Sequence, residues 1–306
     1  MKRARVIYNP TSGREEAKRM LPDLLDQLEM AGYEASAHAT KGKDDATVAA
    51  RTACERGYDL IVASGGDGTL YEVINGMADH PNRPPLGIIP SGTTNDFASA
   101  IGIPKKSDEA IRFMLEGTAQ PIDIGKMNDR YFINIAGGGS LTTLTYEVPI
   151  KLKTLLGQMA YYVKGIEMLP KLKPTMMRIE ADNFLLEEEI MLFLVANSQS
   201  VGGFPHLAPN ASLNDGLLDA ILLKKTNLAE AVRLAAAALR GEHPNDPSVI
   251  YFQTSYLKAA SPNEVLVNLD GELGGALPCE IHAMPSHIQV LMKKDLSLTA
   301  ERGATS

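Results

Sequence analysis

The segment Gly65-Gly66-Asp67-Gly68-Thr69 follows directly on the apolar run Leu60-Ile61-Val62-Ala63. Such a run reads as a strand buried on both faces, and the glycines after it allow positive φ and close approach of a ligand to the backbone. Successive N–H groups in this loop can turn toward one anion, and a helix starting there adds its dipole. The loop therefore reads as a phosphate cradle between a strand and a helix. An aspartate inside the cradle repels phosphate unless it orders a metal ion, orders water or takes a proton. Asp67 thus points to phosphoryl chemistry beyond phosphate binding. A tight strand-to-helix turn is the competing reading for such a loop taken alone.

Strand and helix patterns alternate around this loop. Ala4 to Tyr8 reads as a first strand, followed by the turn Asn9-Pro10-Thr11-Ser12-Gly13. Ala17, Met20, Leu21, Leu24, Leu25 and Leu28 recur at helical spacing, and Gly32 closes that helix. Glu34 to Ala39 reads as a weakly apolar second strand, and Asp44 or Asp45 is placed to cap a helix ending near Gly57. Leu70 to Met77 reads as helix, Leu86 to Pro90 as strand and Ser91 to Phe97 as a second polar loop, before a helix ending near Leu115. This order predicts an α/β nucleotide-binding domain with a doubly wound, Rossmann-like parallel sheet. Ligands bind such sheets beyond the carboxyl ends of the strands, so the loops at Asn9, Gly65 and Ser91 should share one edge.

Near Pro121 the pattern changes. Short β-branched or aromatic runs follow, among them Tyr131 to Ile135, Met177 to Glu180, Ile190 to Ala196, Leu217 to Leu223, Val265 to Leu269 and Ile288 to Leu291. They predict a β-sandwich, with helical insertions near Leu155–Leu169 and Leu228–Leu239. The expected organisation is an α/β domain over residues 1–122, a sandwich over 123–292, and a polar tail over 293–306 that either packs back on the first domain or frays.

Composition narrows the function classes. A formal net charge of −7 argues against nonspecific nucleic-acid binding. The two cysteines, Cys54 and Cys279, form no CxxC, and the six histidines form no HExxH, so a disulfide framework or a zinc site is not expected. No apolar run approaches the roughly 20 residues that cross a bilayer. Met1-Lys2-Arg3-Ala4-Arg5 leads straight into a strand and not into a leader peptide, so a cytoplasmic location is expected.

Three stretches, Asn9 to Gly13, Ser64 to Leu70 and Pro90 to Ala98, resemble the diacylglycerol kinase catalytic-domain family, above all its soluble Gram-positive bacterial members. The resemblance continues through Ala160-Tyr161-Tyr162-Val163-Lys164-Gly165, Gly202-Gly203-Phe204, Leu213 to Leu217 and Asn268 to Glu272, leaving out only the tail. NAD kinases and sphingosine or ceramide kinases share the GGDGT element, and the loop Asn95-Asp96-Phe97-Ala98 favours the diacylglycerol branch. The resemblance implies a nucleotide domain followed by a β-sandwich, with the active site in the cleft between them. It implies transfer of the ATP γ-phosphate to 1,2-diacylglycerol, giving phosphatidic acid and recycling diacylglycerol released in lipoteichoic acid synthesis. It also implies a homodimer.

By the same resemblance, nucleotide contacts fall on Asn9, Pro10, Thr11, Ser12 and Gly13, on Thr40, on Gly66, Asp67, Gly68, Thr69, Leu70, Tyr71 and Glu72, and on Thr93. Glu272 takes the place of the general base, with Asp270 beside it. A carboxylate there can accept the proton of a lipid hydroxyl as the bond to phosphorus forms. Asp67 is the candidate for organising a catalytic Mg²⁺, while Ser212, Asp215 and the carbonyl of Leu217 match a separate Mg²⁺ site. Read from the residues alone, structural alternatives stay open. Asn9-Pro10 can be a turn, Glu72 a first-turn acid, Asn95 or Asp96 a helix cap, Asp270-Gly271 a hairpin turn and Asn214-Asp215-Gly216 an ordinary turn.

Within this acidic chain, Ile150 to Lys173 carries Lys151, Lys153, Lys164, Lys171 and Lys173 against one acid, Glu167. Leu155, Leu156, Met159, Tyr161 and Tyr162 interleave with the lysines. A helix lying on the anionic inner face of a cell membrane has this make-up; an amphipathic helix packed on its own domain is the alternative. Three function classes stand: a diacylglycerol kinase, a related kinase acting on another lipid or on NAD, and a nucleotide or lipid sensor without turnover. An oxidoreductase has little support, because no GxGxxG follows the first strand.

Overall fold

Strands that are apolar at every position belong between two layers of helices. In the computed structural model, which describes residues 1–13, 15–139, 173–201 and 204–293, β3 (Leu60–Gly65) and β4 (Leu86–Pro90) are buried along their whole lengths. They pair in parallel. β3 also pairs with β1 (Lys2–Tyr8), which carries β2 (Tyr33–Ala39) at the edge. The crossovers contain α1 (Glu16–Met30), α2 (Asp45–Glu55), α3 (Asp67–Met77), α4 (Asp96–Ala100) and α5 (Ser107–Glu116). Of the stripe predicted along α1, Ala17, Met20, Leu24 and Leu28 are buried, and Leu21 and Leu25 pack partly buried beside them. This is the doubly wound α/β unit.

The second half is mostly strand. β5 (Thr118–Met127), β6 (Arg130–Phe132), β7 (Ile135–Gly139), β8 (Thr175–Ala181) and β9 (Phe184–Ala196) are followed by β10 (Leu218–Lys224), α6 (Leu228–Leu239) and β11 (Val249–Thr254). Then come β12 (Tyr256–Ala260), β13 (Leu266–Leu269), β14 (Glu272–Ala276) and β15 (Cys279–Met292). α6 starts at a reciprocal box in which Asn227 and Glu230 each bond the other's backbone N–H. The first half of β9 pairs with β8, whereas its second half lies between β7 and β10. The strands fold over two cores, one around Phe132 and Phe193 and a smaller one under α6 around Leu234. This is the β-sandwich.

β15 joins the lobes. Cys279 to His282 pair antiparallel with β12, β5 runs antiparallel from Ile281 to Met292, and Val290 also lies parallel to Leu86 of β4. Ile288, Val290 and Met292 enter the core of the first lobe together with Ile122 and Ile124 of β5. One hydrogen-bonded sheet of fifteen strands therefore runs through both lobes. The expected helix near 155–169, the lysines at 151, 153, 164 and 171, and the tail from 294 lie outside the described residues. Among the described residues no helix is long and apolar enough to cross a membrane.

The end of α3 pins the second lobe to the first. The Asn75 amide donates to the carbonyls of Tyr71 and Tyr131 and accepts from Tyr131 N–H, each at 2.9 Å. The Tyr131 hydroxyl donates to Asp79 at 2.6 Å, and Arg83 Nε donates to the His287 carbonyl at 2.7 Å. These bonds set the distance between the glycine loop and the strands that face it.

Candidate active site

The three loops meet. Asn9 N–H donates to the Ser64 carbonyl at 3.0 Å, and Ser91 N–H to the Gly65 carbonyl at 2.9 Å. Ser12 Oγ donates to the Ser91 carbonyl at 3.0 Å. Gly13 has φ +58, and a Cβ there would collide with the same Ser91 carbonyl. Gly66 and Gly92 press together so closely that a Cβ on Gly92 would come within 2.5 Å of the Gly66 Cα. Thr40 N–H bonds the Tyr8 carbonyl at 2.9 Å, which brings the loop after β2 to the same rim. The Asn9 side chain closes its own turn by accepting from Thr11 N–H and Oγ1 at 3.0 and 2.9 Å. Thr69 and Leu70 are buried, and Thr93 lies in the Ser91 loop.

Both acids of α3 cap neighbouring helices. Asp67 Oδ2 accepts from Thr94 Oγ1 at 2.8 Å and Asn95 N–H at 2.9 Å, and Oδ1 accepts from Asp96 N–H at 2.8 Å. The Glu72 carboxylate accepts from the N–H groups of Asp44 and Ala46, both at 3.0 Å, at the start of α2. The caps offered by local sequence are thereby corrected. Asp44 and Asn95 stand at the N-cap positions with φ +64 and +52, and neither side chain caps its helix. Asn95 instead closes on Gly92 N–H and C=O, and Asp45 bonds Lys41 N–H and His38. Carboxylates from α3 satisfy the free amides, so this capping is tertiary and invisible to a local pattern. Three of the roughly four lone-pair positions of Asp67 are taken, which leaves one on Oδ1.

Across from the cradle, Asp270-Gly271 is a two-residue hairpin turn between β13 and β14, with φ +50 and +96. It is thus the hairpin turn its sequence allows, and it also carries two acids. Asp270 turns inward and accepts from the N–H groups of Ile133, Asn134 and Ile135 at 2.7, 2.9 and 2.9 Å. Burial pushes its carboxyl up to about 7 against the pull of these amides, and the nearby Asp67 charge adds to the rise. Glu272 turns the other way. Its Oε1 lies 3.7 Å from the point a Cβ on Gly68 would occupy, and it has no hydrogen-bond partner among the described residues.

Six buried side-chain atoms lack a partner among the described residues; Ser64 Oγ and Ser91 Oγ belong to the loop rim, and the Tyr71 hydroxyl and Asn268 Nδ2 lie on α3 and β13. Unmet buried polar groups near a cleft are ones a polar ligand can satisfy. Sequence reading did not single out Ser64 and Ser91, although each is a polar residue standing immediately before glycine at the end of an apolar strand. Nor did it single out Arg130, whose Nη1 donates to the Leu273 carbonyl at 3.0 Å beside Glu272.

The second candidate cation site lies in the loop before β10. Ser212 Oγ donates to Asn214 Oδ1 at 2.9 Å, and Leu217 N–H to Asp215 Oδ1 at 3.0 Å. Burial, and then the charge of Asp123, raise the Asp215 carboxyl pKa. Asp123 accepts from Gly216 N–H at 2.6 Å and Ser286 N–H at 2.7 Å, tying this loop to β15. The donors are all oxygens, as a hard cation requires. Among the described residues no group of three or more His, Cys, Asp or Glu side chains could hold a metal.

Comparison with known proteins matches one family model to each lobe. The diacylglycerol kinase catalytic domain matches residues 3–127, and the YegS C-terminal NAD kinase beta sandwich-like domain matches residues 145–292. A diacylglycerol kinase of Bacillus subtilis (strain 168) is 57% identical over 296 residues, covering 96% of this chain and 98% of that protein. A diacylglycerol kinase of Staphylococcus epidermidis is 49% identical over 295 residues, covering 96% and 93%. A crystal structure of a diacylglycerol kinase from Bacillus anthracis str. Sterne superposes with a TM-score of 0.82 at 28% identity, covering 96% of this chain and 98% of that one. A nucleotide lobe with a three-loop rim, a sandwich that carries its acidic turn to that rim, and full-length identity above 50% lead to one conclusion: the chain belongs to the diacylglycerol kinase family.

Proposed function

We propose that this chain transfers the γ-phosphoryl group of ATP to the free hydroxyl of 1,2-diacylglycerol, with the reaction in the cleft between the lobes. The carrying observation is the approach of Glu272 to Gly68. It sets a carboxylate with no hydrogen-bond partner among the described residues against the loop whose amides would hold the triphosphate. Glu272 takes the proton of the lipid hydroxyl, the lipid oxygen bonds to the γ-phosphorus, and the bond from that phosphorus to the β–γ bridging oxygen breaks to leave ADP. Asp270 braces the hairpin through its three amide bonds and so aims Glu272. The N–H groups from Gly66 to Thr69 receive phosphate, with Asn9 to Gly13, Thr40 and Thr93 around the rest of the nucleotide.

Mg²⁺ accompanies the nucleotide and neutralises charge on the transferring phosphoryl group when bound. The open position on Asp67 Oδ1 fits a metal-bound water. Ser212, Asp215 and the Leu217 carbonyl would hold a second Mg²⁺, where a cation would offset the desolvated, like-charged setting of Asp215. The lysines at 151, 153 and 164, with the apolar residues between them, carry the protein to the inner face of the cell membrane, where diacylglycerol resides. The enzyme works as a homodimer, returning diacylglycerol to phospholipid synthesis.

A panel of acceptors with labelled ATP and Mg²⁺ tests this reading. Label should pass to diacylglycerol in mixed micelles and not to NAD or sphingosine. Label in NAD alone, or ATP binding with no transfer to any acceptor, overturns it. Co-sedimentation with anionic vesicles should weaken with salt and in the Lys151→Ala, Lys153→Ala, Lys164→Ala triple variant.

A further inference from the structure

Tyr71 stands on α3 but packs in the core of the second lobe, with Met127, Phe132 and Leu269. It is one helical turn from Gly68, the residue facing Glu272, and one turn from Asn75, which bonds β6. Its side chain thus rises from the phosphate loop along the face turned to the acidic hairpin. It is only 7% exposed, yet its hydroxyl proton has no hydrogen-bond acceptor among the described residues. Arg130, held by the Leu273 carbonyl, is near enough to donate toward the hydroxyl oxygen, while Asp270 and Glu272 act on it through their charge. A guanidinium can only donate, so Arg130 leaves the hydroxyl proton without an acceptor. Asp270 spends three of its roughly four lone-pair positions on backbone amides and makes no bond to the Tyr71 hydroxyl.

A buried hydroxyl whose proton has no acceptor carries an unmet-donor cost of at most roughly 1–3 kcal/mol. A packing role alone would be met by phenylalanine, which carries no such cost. Burial also raises the hydroxyl pKa, so the group is a hydrogen-bond donor throughout the physiological range. Glu272, which faces Gly68 one turn earlier on α3, is an acceptor. An alcohol oxygen lying between the two can accept from Tyr71 while donating its own proton to Glu272.

We propose that the Tyr71 hydroxyl is a ligand of the acceptor lipid, donating a hydrogen bond to the glycerol oxygen that is phosphorylated and so fixing it between Tyr71 and Glu272. The inference rests on the kinase reading above and adds the residue that orients the acceptor. Tyr71 belongs to the acceptor side of the cleft and not to the nucleotide cradle, although it lies within the Gly66–Glu72 segment.

The test is Tyr71→Phe, which keeps the packing and removes only the hydroxyl. Lipid titrations in mixed micelles should show kcat/KM for diacylglycerol lowered about tenfold. ADP affinity, measured by calorimetry with Mg²⁺, should stay within twofold of the wild type. The ratio of ATP hydrolysis to lipid phosphorylation should rise, because water competes better against a poorly oriented alcohol. Lipid kcat/KM within twofold of the wild type overturns the proposal, and so does an equal loss of ADP affinity. Glu272→Gln, assayed in parallel, separates the two claims. If it stays active the base assignment fails, whatever Tyr71→Phe shows; if it is inactive and Tyr71→Phe is unaffected, only the Tyr71 assignment fails.

Discussion

Glu272 Oε1 and Gly68 face each other across the junction of the lobes, with 3.7 Å between the carboxylate oxygen and the point where a Gly68 side chain would begin. That spacing is ordinary van der Waals contact, and position 68 lies in α3, where alanine is a favourable residue. Gly68→Ala should therefore melt within a few degrees of the wild type. Its methyl group would fill the gap in which phosphoryl group and acceptor meet, so turnover should fall at least about tenfold, the order of a lost near-attack geometry. Gly92→Ala differs, because its Cβ would stand 2.5 Å from the Gly66 Cα. Nucleotide affinity and stability should both drop in that variant. Thermal melts and ADP titrations of the two proteins check the contrast.

Asp67 bonds the start of α4 through three donors. In Asp67→Asn an NH₂ group faces a backbone N–H, leaving buried donors unmet at a cost of about 1–3 kcal/mol. Urea unfolding should show this loss in addition to any loss of activity. Glu72→Ala removes the carboxylate that caps α2 and should cost about 0.5–2 kcal/mol, with ADP affinity less affected than in Asp67→Asn. Equal stability of all three proteins would mean that neither carboxylate holds its neighbouring helix.

Asp270 gives stability a pH dependence. Burial raises its folded-state pKa to about 7, above the ordinary carboxylate value. The folded protein thus keeps a proton that the unfolded chain releases from about pH 4 upward. Its contribution is complete below about pH 4 and is lost as pH rises through about 7. Each tenfold change in proton affinity is worth about 1.4 kcal/mol, so a few kcal/mol is the upper bound. Unfolding free energies measured from pH 4.5 to 8 should fall with pH in the wild type, and that part of the slope should vanish in Asp270→Asn.

The α/β lobe was legible because its signals are local. β3 and β4 are continuous apolar runs, α1 carries a helical stripe, and Gly66, Gly68 and Gly92 mark the loops after strands. The convergence of these loops followed from topology alone, and the Asp270-Gly271 turn was readable from its residue types. Long-range pairing was not legible. Nothing in the sequence from Cys279 to Met292 says that its end lies beside Leu86, or that Glu72 and Asp67 replace the local caps of α2 and α4. Tyr71 looked like one more residue of the loop because its partners come from the other lobe.

General-base action by Glu272 is tested most directly by rapid-quench single turnover with labelled ATP, Mg²⁺ and diacylglycerol micelles, comparing the wild type with Glu272→Gln. If Glu272 takes the proton, phosphatidic acid formation should fall by about 10²–10⁴-fold, the usual share of a general base, with ADP affinity unchanged. Transfer within about threefold of the wild type, at equal nucleotide affinity, would contradict it.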